Sequence, residues 1–295
     1  MGIAMLDCLI IGGGPAGLTA ATYLARYRRA AWVIDAGESR AKQIPLSHNY
    51  PGFKGIAGPD LLVRLRDQAL AFGADIRTDL VTALVERDGG FVASTGTDQI
   101  EARTVLMATG LVDKSPTMGG EGASQASIRY CPVCDGYEAT DRRIGVLGSL
   151  EDAWKKAIFL RTYSRDVSVF ATKGDCPESM TSALRAAGIK IFGSHGRVSI
   201  AKDLVRVDTN GAGCVEVDVL YPALGCNVRS QLAIKLGARA DNVGCLEVDE
   251  HQETAVRQLY AAGDVVTDLH QLSVAIGHAA MAATAIHNWL PSNPR

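Results

Sequence analysis

Cys131 and Cys134 enclose Pro132 and Val133 and are followed by Asp135 and Gly136. Two thiols at this spacing close a small disulfide ring, the proline favours a tight turn, and a nearby helix start lowers a thiol pKa. The pair is therefore suited to dithiol/disulfide exchange. The same spacing is half of a zinc site, but zinc needs two further ligands, and the chain has no second CxxC or paired-His motif. Redox chemistry is the expectation, with no metal.

A second set of residues is suited to holding a nucleotide. In Gly12-x-Gly14-x-x-Gly17, with Pro15 and Ala16 between the later glycines, the first glycine makes a tight turn. The second admits a pyrophosphate to the backbone, and the third lets helix and strand pack closely. The following helix start faces the anion. Asp35 ends the next apolar run, where a carboxylate accepts hydrogen bonds from an adenosine ribose.

These residues need elements to place them. The apolar run Asp7–Ile11 reads as a strand, followed by the glycine turn, a helical pattern through Arg29 and a strand Ala31–Ile34. The same order returns with strand Ile144–Leu147, a turn from Gly148, a helix from about Asp152 to Tyr163 and strand Val167–Phe170. Two nucleotide-fold units in one α/β chain follow. Between them, Glu101–Met107 reads as a strand leading into Ala108-Thr109-Gly110, and Lys114–Gly122, rich in Gly, Pro and Ser, as a linker. The C-terminal part reads as strand Gln258–Ala261, turn Ala262-Gly263-Asp264 and a long Ala-rich helix over Leu272–Leu290. That helix is apolar enough to raise a membrane span, but its alanines and interior His278 favour a buried core helix.

At 295 residues the chain exceeds one comfortable core. Hydrophobic residues at 47%, charged residues at 21% and 31 glycines suit a soluble α/β enzyme. A net charge of −2 and pI near 6.3 supply no pull toward nucleic acid or anionic lipid. The odd count of seven cysteines, with no secretory n-region, points to a reducing cytoplasm. Cys8, Cys176, Cys214, Cys226 and Cys245 are expected to be small buried hydrophobes.

The order GGGPAG near the start, ATG at 108–110, CPVCDG in the middle and AAGD at 261–264 resembles the low-molecular-weight thioredoxin reductases along nearly the whole chain. The resemblance implies two Rossmann-like, three-layer ββα domains. An FAD domain of residues 1–113 and 244–295 would be interrupted by an NAD(P)H-type domain of 114–243 carrying the CxxC. It further implies Cys134 as the flavin-proximal thiol, Cys131 as the thiol that exchanges with substrate and Asp135 as the acid that manages protons. Gly263 and Asp264 would hold the FAD ribityl and phosphate groups, and Asn49 would lie on the flavin side. Leu272 and Ser273, opening the last helix, would point its dipole at the flavin pyrimidine edge. A thioredoxin-like protein or a small disulfide is the implied substrate, and a homodimer the implied assembly.

The second unit departs from this pattern. Superposing the first turn on Gly148-Ser149-Leu150-Glu151-Asp152-Ala153 puts Leu150 where close approach wants glycine, and Glu151 and Asp152 add negative charge. Ala171-Thr172-Lys173 stands where those reductases have His-Arg-Arg for the 2′-phosphate, and one lysine is a poor replacement for two bidentate arginines. Gln271-Leu272-Ser273 stands for their Arg-Gln-Ala. The run Asp35-Ala36-Gly37-Glu38-Ser39-Arg40 is similar to a branch of these flavoenzymes that includes small-molecule dithiol oxidases. Three readings of the electron supply stay open: weakened NADPH binding, another donor such as ferredoxin or a reduced protein, and oxidation of dithiols. Loss of turnover would leave a non-enzymatic flavin sensor, against which the intact CxxC beside Asp135 argues. His48, His270 and His278 are further candidates near the flavin.

Overall fold

The structure, a computed structural model, describes residues 5–96, 98–119, 127–172, 177–201, 204–211, 213–266 and 269–294. The chain divides into two compact units, residues 1–112 with 227–295, and residues 113–226.

In the first unit, Leu6–Ile11, apolar apart from the half-buried Asp7, forms a central strand, as expected for parallel strands buried on both faces. Ala31–Asp35 and then Asp75–Thr78 extend the sheet on one side. Gln99–Met107 pairs on the other side and itself takes Leu259–Ala261, all parallel. Gly90–Ser94 and Ala83–Arg87 add antiparallel strands beyond residues 99–102. Helices Pro15–Arg26 and Leu272–Trp289 share one core, in which Ala16, Ala20, Ala21 and Leu24 are buried together with Ala275, Ala279, Ala282 and Ala283. Small side chains let these elements approach closely, so the Ala-rich helix is a core element. Among the described residues no helix is long and apolar enough to cross a membrane.

The second unit repeats the plan. Ile144–Gly148, fully buried, lies between Val167–Ala171 and Val219–Ala223, and Lys190–Ala201 follows beside Val167–Ala171. Leu204–Thr209 and Gly213–Val217 complete the sheet as antiparallel strands. Helix Leu150–Leu160 covers it with Leu150, Ala153, Ala157 and Leu160. Both units are Rossmann-like, and the fold class read from the two strand–turn–helix signals is the observed one.

Several details differ from the sequence expectation. The chain returns to the first unit at Asn227, where 244 was expected. The reason is local: the Arg229 amide donates to the Gly110 carbonyl, Thr109 Oγ1 donates to the Arg229 carbonyl, and the Arg229 guanidinium pairs with Glu38. Within the expected linker, Thr117–Gly119 is a strand paired with Arg197–Ser199. The second helix begins at Leu150 because Ser149 caps it. Of the five cysteines expected to be buried, Cys8 and Cys245 are, and burial pushes the Cys8 thiol up to about 12. Cys214 is exposed on the edge strand Gly213–Val217, and Cys226 is half-buried. Cys176, Lys173 and residues 120–122 of the linker lie outside the described residues.

Candidate active site

Backbone closes on the first glycine turn at Gly12 and Gly17. Gly12 has φ +111°, and a Cβ there would strike the Ala108 carbonyl; a Cβ on Gly17 would strike the Gly12 carbonyl. Gly13, absent from the sequence-derived site, is equally constrained, because a Cβ would run into the Asp35 carboxyl. Asp35 Oδ1 accepts from the amides of Gly13 at 3.1 Å and Gly37 at 3.0 Å. Gly14 is the N-cap of the helix that begins at Pro15, with no side chain bonded to its first-turn amides and no acid in that turn. The first-turn amides, free of any side-chain cap although Pro15 itself has no N–H, and the helix dipole make an anion seat here.

Gly263, φ +81°, brings the Ala262-Gly263-Asp264 turn beside this seat: a Cβ would lie 3.0 Å from that of Ala16 and 3.4 Å from that of Ala275. Asp264 Oδ2 accepts from Arg40 Nη1 at 3.1 Å. Asn49 Nδ2 donates to Gln271 Oε1 at 2.9 Å, which ties the Asn49 loop to the N-cap of the last helix. Leu272 packs in a small cluster with Leu18, Ala41 and Leu62, so its side chain serves packing, while Ser273 is exposed on the first turn. Ala108 closes on Gly17, and Thr109 and Gly110 are tied to Arg229. Arg40 and Gln271 were named in the sequence only as departures. His278 buries Nδ1 without a hydrogen bond, burial lowers its pKa, and it lines a cavity with Glu247, Gln252 and Val266.

The corresponding turn in the second unit is built differently. Ser149 Oγ accepts from the Asp152 amide at 3.2 Å and donates to Asp152 Oδ2 at 2.6 Å. Glu151 and Asp152 occupy the first turn, and Leu150 is buried where a glycine would admit a phosphate. The dipole of this helix is already answered by its own carboxylate. The residues described here do not fit a dinucleotide pyrophosphate.

Cys131 and Cys134 form a disulfide, with Cα atoms 5.3 Å apart. Cys131 is the N-cap of the short helix Pro132–Asp135, and its Sγ accepts from the Cys134 amide at 3.2 Å. Asp135 follows directly. Burial raises its pKa above the ordinary carboxylate range, while the Tyr221 hydroxyl and Arg129 pull it down. Tyr221 and Arg129 carry no motif, and their role emerges only from the fold.

Residues 6–282 match the family model described as pyridine nucleotide-disulphide oxidoreductase. The chain belongs to that family. As a pyridine nucleotide-disulphide oxidoreductase it is a flavin-dependent disulfide oxidoreductase, and the Cys131–Cys134 disulfide is in keeping with that. It is 28% identical over 300 residues to the thioredoxin reductase of Mycolicibacterium smegmatis, covering 96% of each chain. Among solved structures it is similar to the thioredoxin reductase from Streptococcus pyogenes MGAS5005, with TM-score 0.87, 25% identity and 97% and 98% of the two chains covered. It is also similar to HlmI, with TM-score 0.89, 26% identity and 98% and 93% covered.

Proposed function

We propose that the first unit binds FAD and that Cys131 and Cys134 pass electrons between it and a thioredoxin-like protein or a small disulfide. One observation carries the reading: a disulfide at a helix N-cap, followed by a half-buried carboxyl, in a chain whose other unit has an open anion seat. The glycine turn, Asp35, Asn49, residues 108–110, Gly263, Asp264 and the start of the last helix would hold the cofactor. Bound flavin supplies a two-electron carrier.

The protein's own residues do the rest. In the reducing direction the Cys131 thiolate attacks a substrate sulfur, the substrate S–S bond breaks, and a mixed disulfide forms. The Cys134 thiolate then attacks Cys131, re-forming the internal disulfide and releasing the second substrate thiolate. Two electrons leave the cysteine pair and two protons reach the substrate sulfurs, with Asp135 relaying them. Alkylation followed by mass measurement tests these roles. Cys131→Ser should abolish mixed-disulfide formation, and Cys134→Ser should trap it on Cys131. Identical behaviour of the two variants would overturn the assignment.

A specific observation favours a donor other than NADPH: Ser149 and Asp152 cap the second turn internally, and Leu150 fills it. A reduced protein or a substrate dithiol then delivers the electrons, and in the second case the enzyme runs as a dithiol oxidase, the two electrons and two protons passing on to an external acceptor such as oxygen. Anaerobic titration of the flavin-loaded protein with NADPH, NADH and dithiothreitol separates these donors. Rapid bleaching by NADPH would sink this reading. We further place the enzyme in the cytoplasm as a homodimer, in line with the family resemblance; light scattering of the purified protein tests the dimer.

A further inference from the structure

Tyr221 lies in the middle of the strand Val219–Ala223 with its ring fully buried. The cluster around it is apolar, including Val146, Val169 and Leu160. Phenylalanine would fill that volume without taking a hydroxyl out of water, and a buried hydroxyl without a partner is costly. The phenol is spent on Asp135 and on Arg129, which itself flanks Asp135. Its hydroxyl donates to Asp135 Oδ1 at 2.8 Å and lies 3.2 Å from the Asp135 carbonyl.

Other groups complete the surroundings of the carboxyl. Arg129 Nη1 donates to the Asp135 carbonyl at 3.1 Å, and its Nε lies 3.9 Å from Oδ2. The two carboxylate oxygens therefore face different donors, a phenol and a guanidinium. Glu138, on the next turn, is the like charge that opposes ionisation. Lys156 directs Nζ to the carbonyls of Tyr130 and Pro222, at 3.4 and 2.7 Å, adjoining both the cysteine helix and the Tyr221 strand. The cysteines share the short helix with Asp135.

We propose that Tyr221 is a positioning residue for the disulfide chemistry, its hydroxyl holding Asp135 ionised and in one orientation to receive the thiol proton. This rests on the reading of Asp135 as the proton-handling group. When a dithiol reduces the Cys131–Cys134 bond, one incoming thiol gives its proton to the Asp135 carboxylate. Its sulfur bonds to Cys131, and the Cys134 thiolate released takes that proton. The second incoming thiol then displaces Cys131, closing the substrate disulfide, and its proton passes to Cys131.

The test uses the flavin-loaded protein and dithiothreitol, following the loss of the disulfide by quenched alkylation across the acid to neutral pH range. Removing the hydroxyl withdraws a bond to the charged form, so Tyr221→Phe should keep its flavin and move the acid limb of the rate up by about one pH unit. Asp135→Asn should abolish that limb. A limb unmoved in Tyr221→Phe but absent in Asp135→Asn overturns the Tyr221 proposal and leaves the Asp135 reading standing. A limb unchanged in Asp135→Asn overturns both. Should Tyr221→Phe fail to fold, a fluorotyrosine placed at 221 keeps the volume and donates more strongly. It should move the limb down, and no movement overturns the proposal.

Discussion

Arg40 Nη1 lies 3.1 Å from Asp264 Oδ2, joining two residues 224 positions apart at the mouth of the first glycine turn. Each side chain is about one-fifth exposed, 21% and 20%, so the pair is screened only in part. If the first unit binds FAD as proposed, Arg40 would bring a cation to its phosphate side and Asp264 would orient it. Arg40→Met is expected to weaken FAD binding about tenfold, the scale of one lost charge-assisted hydrogen bond. Calorimetric titration of flavin-stripped protein checks this, and an unchanged Kd would remove Arg40 from the site.

Gly17 and Gly14 should respond very differently to alanine. A Cβ on Gly17 meets the Gly12 backbone, which cannot step aside, whereas on Gly14 the nearest atom is Ser39 Oγ at 3.3 Å. Gly17→Ala is expected to lose about 3 kcal/mol of stability and most of its flavin. Gly14→Ala should stay within about 1 kcal/mol. Denaturant unfolding and the flavin-to-protein absorbance ratio measure both; equal losses would contradict the packing described for the turn.

Ser149 caps its helix with Asp152 as partner. Ser149→Ala is expected to cost about 1 kcal/mol, and Ser149→Gly a few tenths, without change in flavin content. Leu150→Gly combined with Asp152→Ser removes both the bulk and the competing charge, and should speed flavin reduction by NADPH. If NADPH reduces the double variant no faster than the native protein, the capped turn is not what limits the dinucleotide.

Two carboxylates should show opposite pH dependence of stability. Burial raises the Asp135 pKa, so its contribution is fully present below the unfolded value of about 3.9 and is lost as pH rises through the folded value. Asp135→Asn should therefore be neutral or stabilising at pH 7, by up to about 1 kcal/mol, while exchange activity falls. Asp218 is held low by its hydrogen bonds from Arg143, so its contribution is present above the unfolded value and disappears as pH falls through the folded one. The pair is partly exposed, with side chains 24% and 42% accessible, and Asp218→Asn should cost under about 1 kcal/mol at pH 7. Thermal unfolding at several pH values distinguishes the two; curves that move in parallel would refute the signs.

Much of this protein is written in short stretches of chain. The first turn was legible because its geometry is local: Gly12, just after a strand, needs a left-handed φ, and Gly17, in the first turn of the next helix, needs no Cβ. The Cys131–Cys134 disulfide was legible for the same reason, since three residues of separation bring two sulfurs within bonding reach. The Ser149–Asp152 spacing also carries its own capping geometry, although as a sequence it announced only a missing glycine and excess charge.

Only the tertiary structure decided the rest. The Arg40–Asp264 and Asn49–Gln271 pairs join residues more than two hundred positions apart, and the chain's return at Asn227 rests on Arg229 reaching Gly110 and Glu38. Tyr221 reads in the sequence as one more apolar position of a buried strand. Its phenol acquires meaning only because parallel pairing of Val219–Ala223 with Ile144–Gly148 sets it against Asp135. Spacing along a chain encodes dihedral requirements and short rings. Which carboxyl a buried hydroxyl meets depends on how strands distant in sequence stack, which no local pattern records.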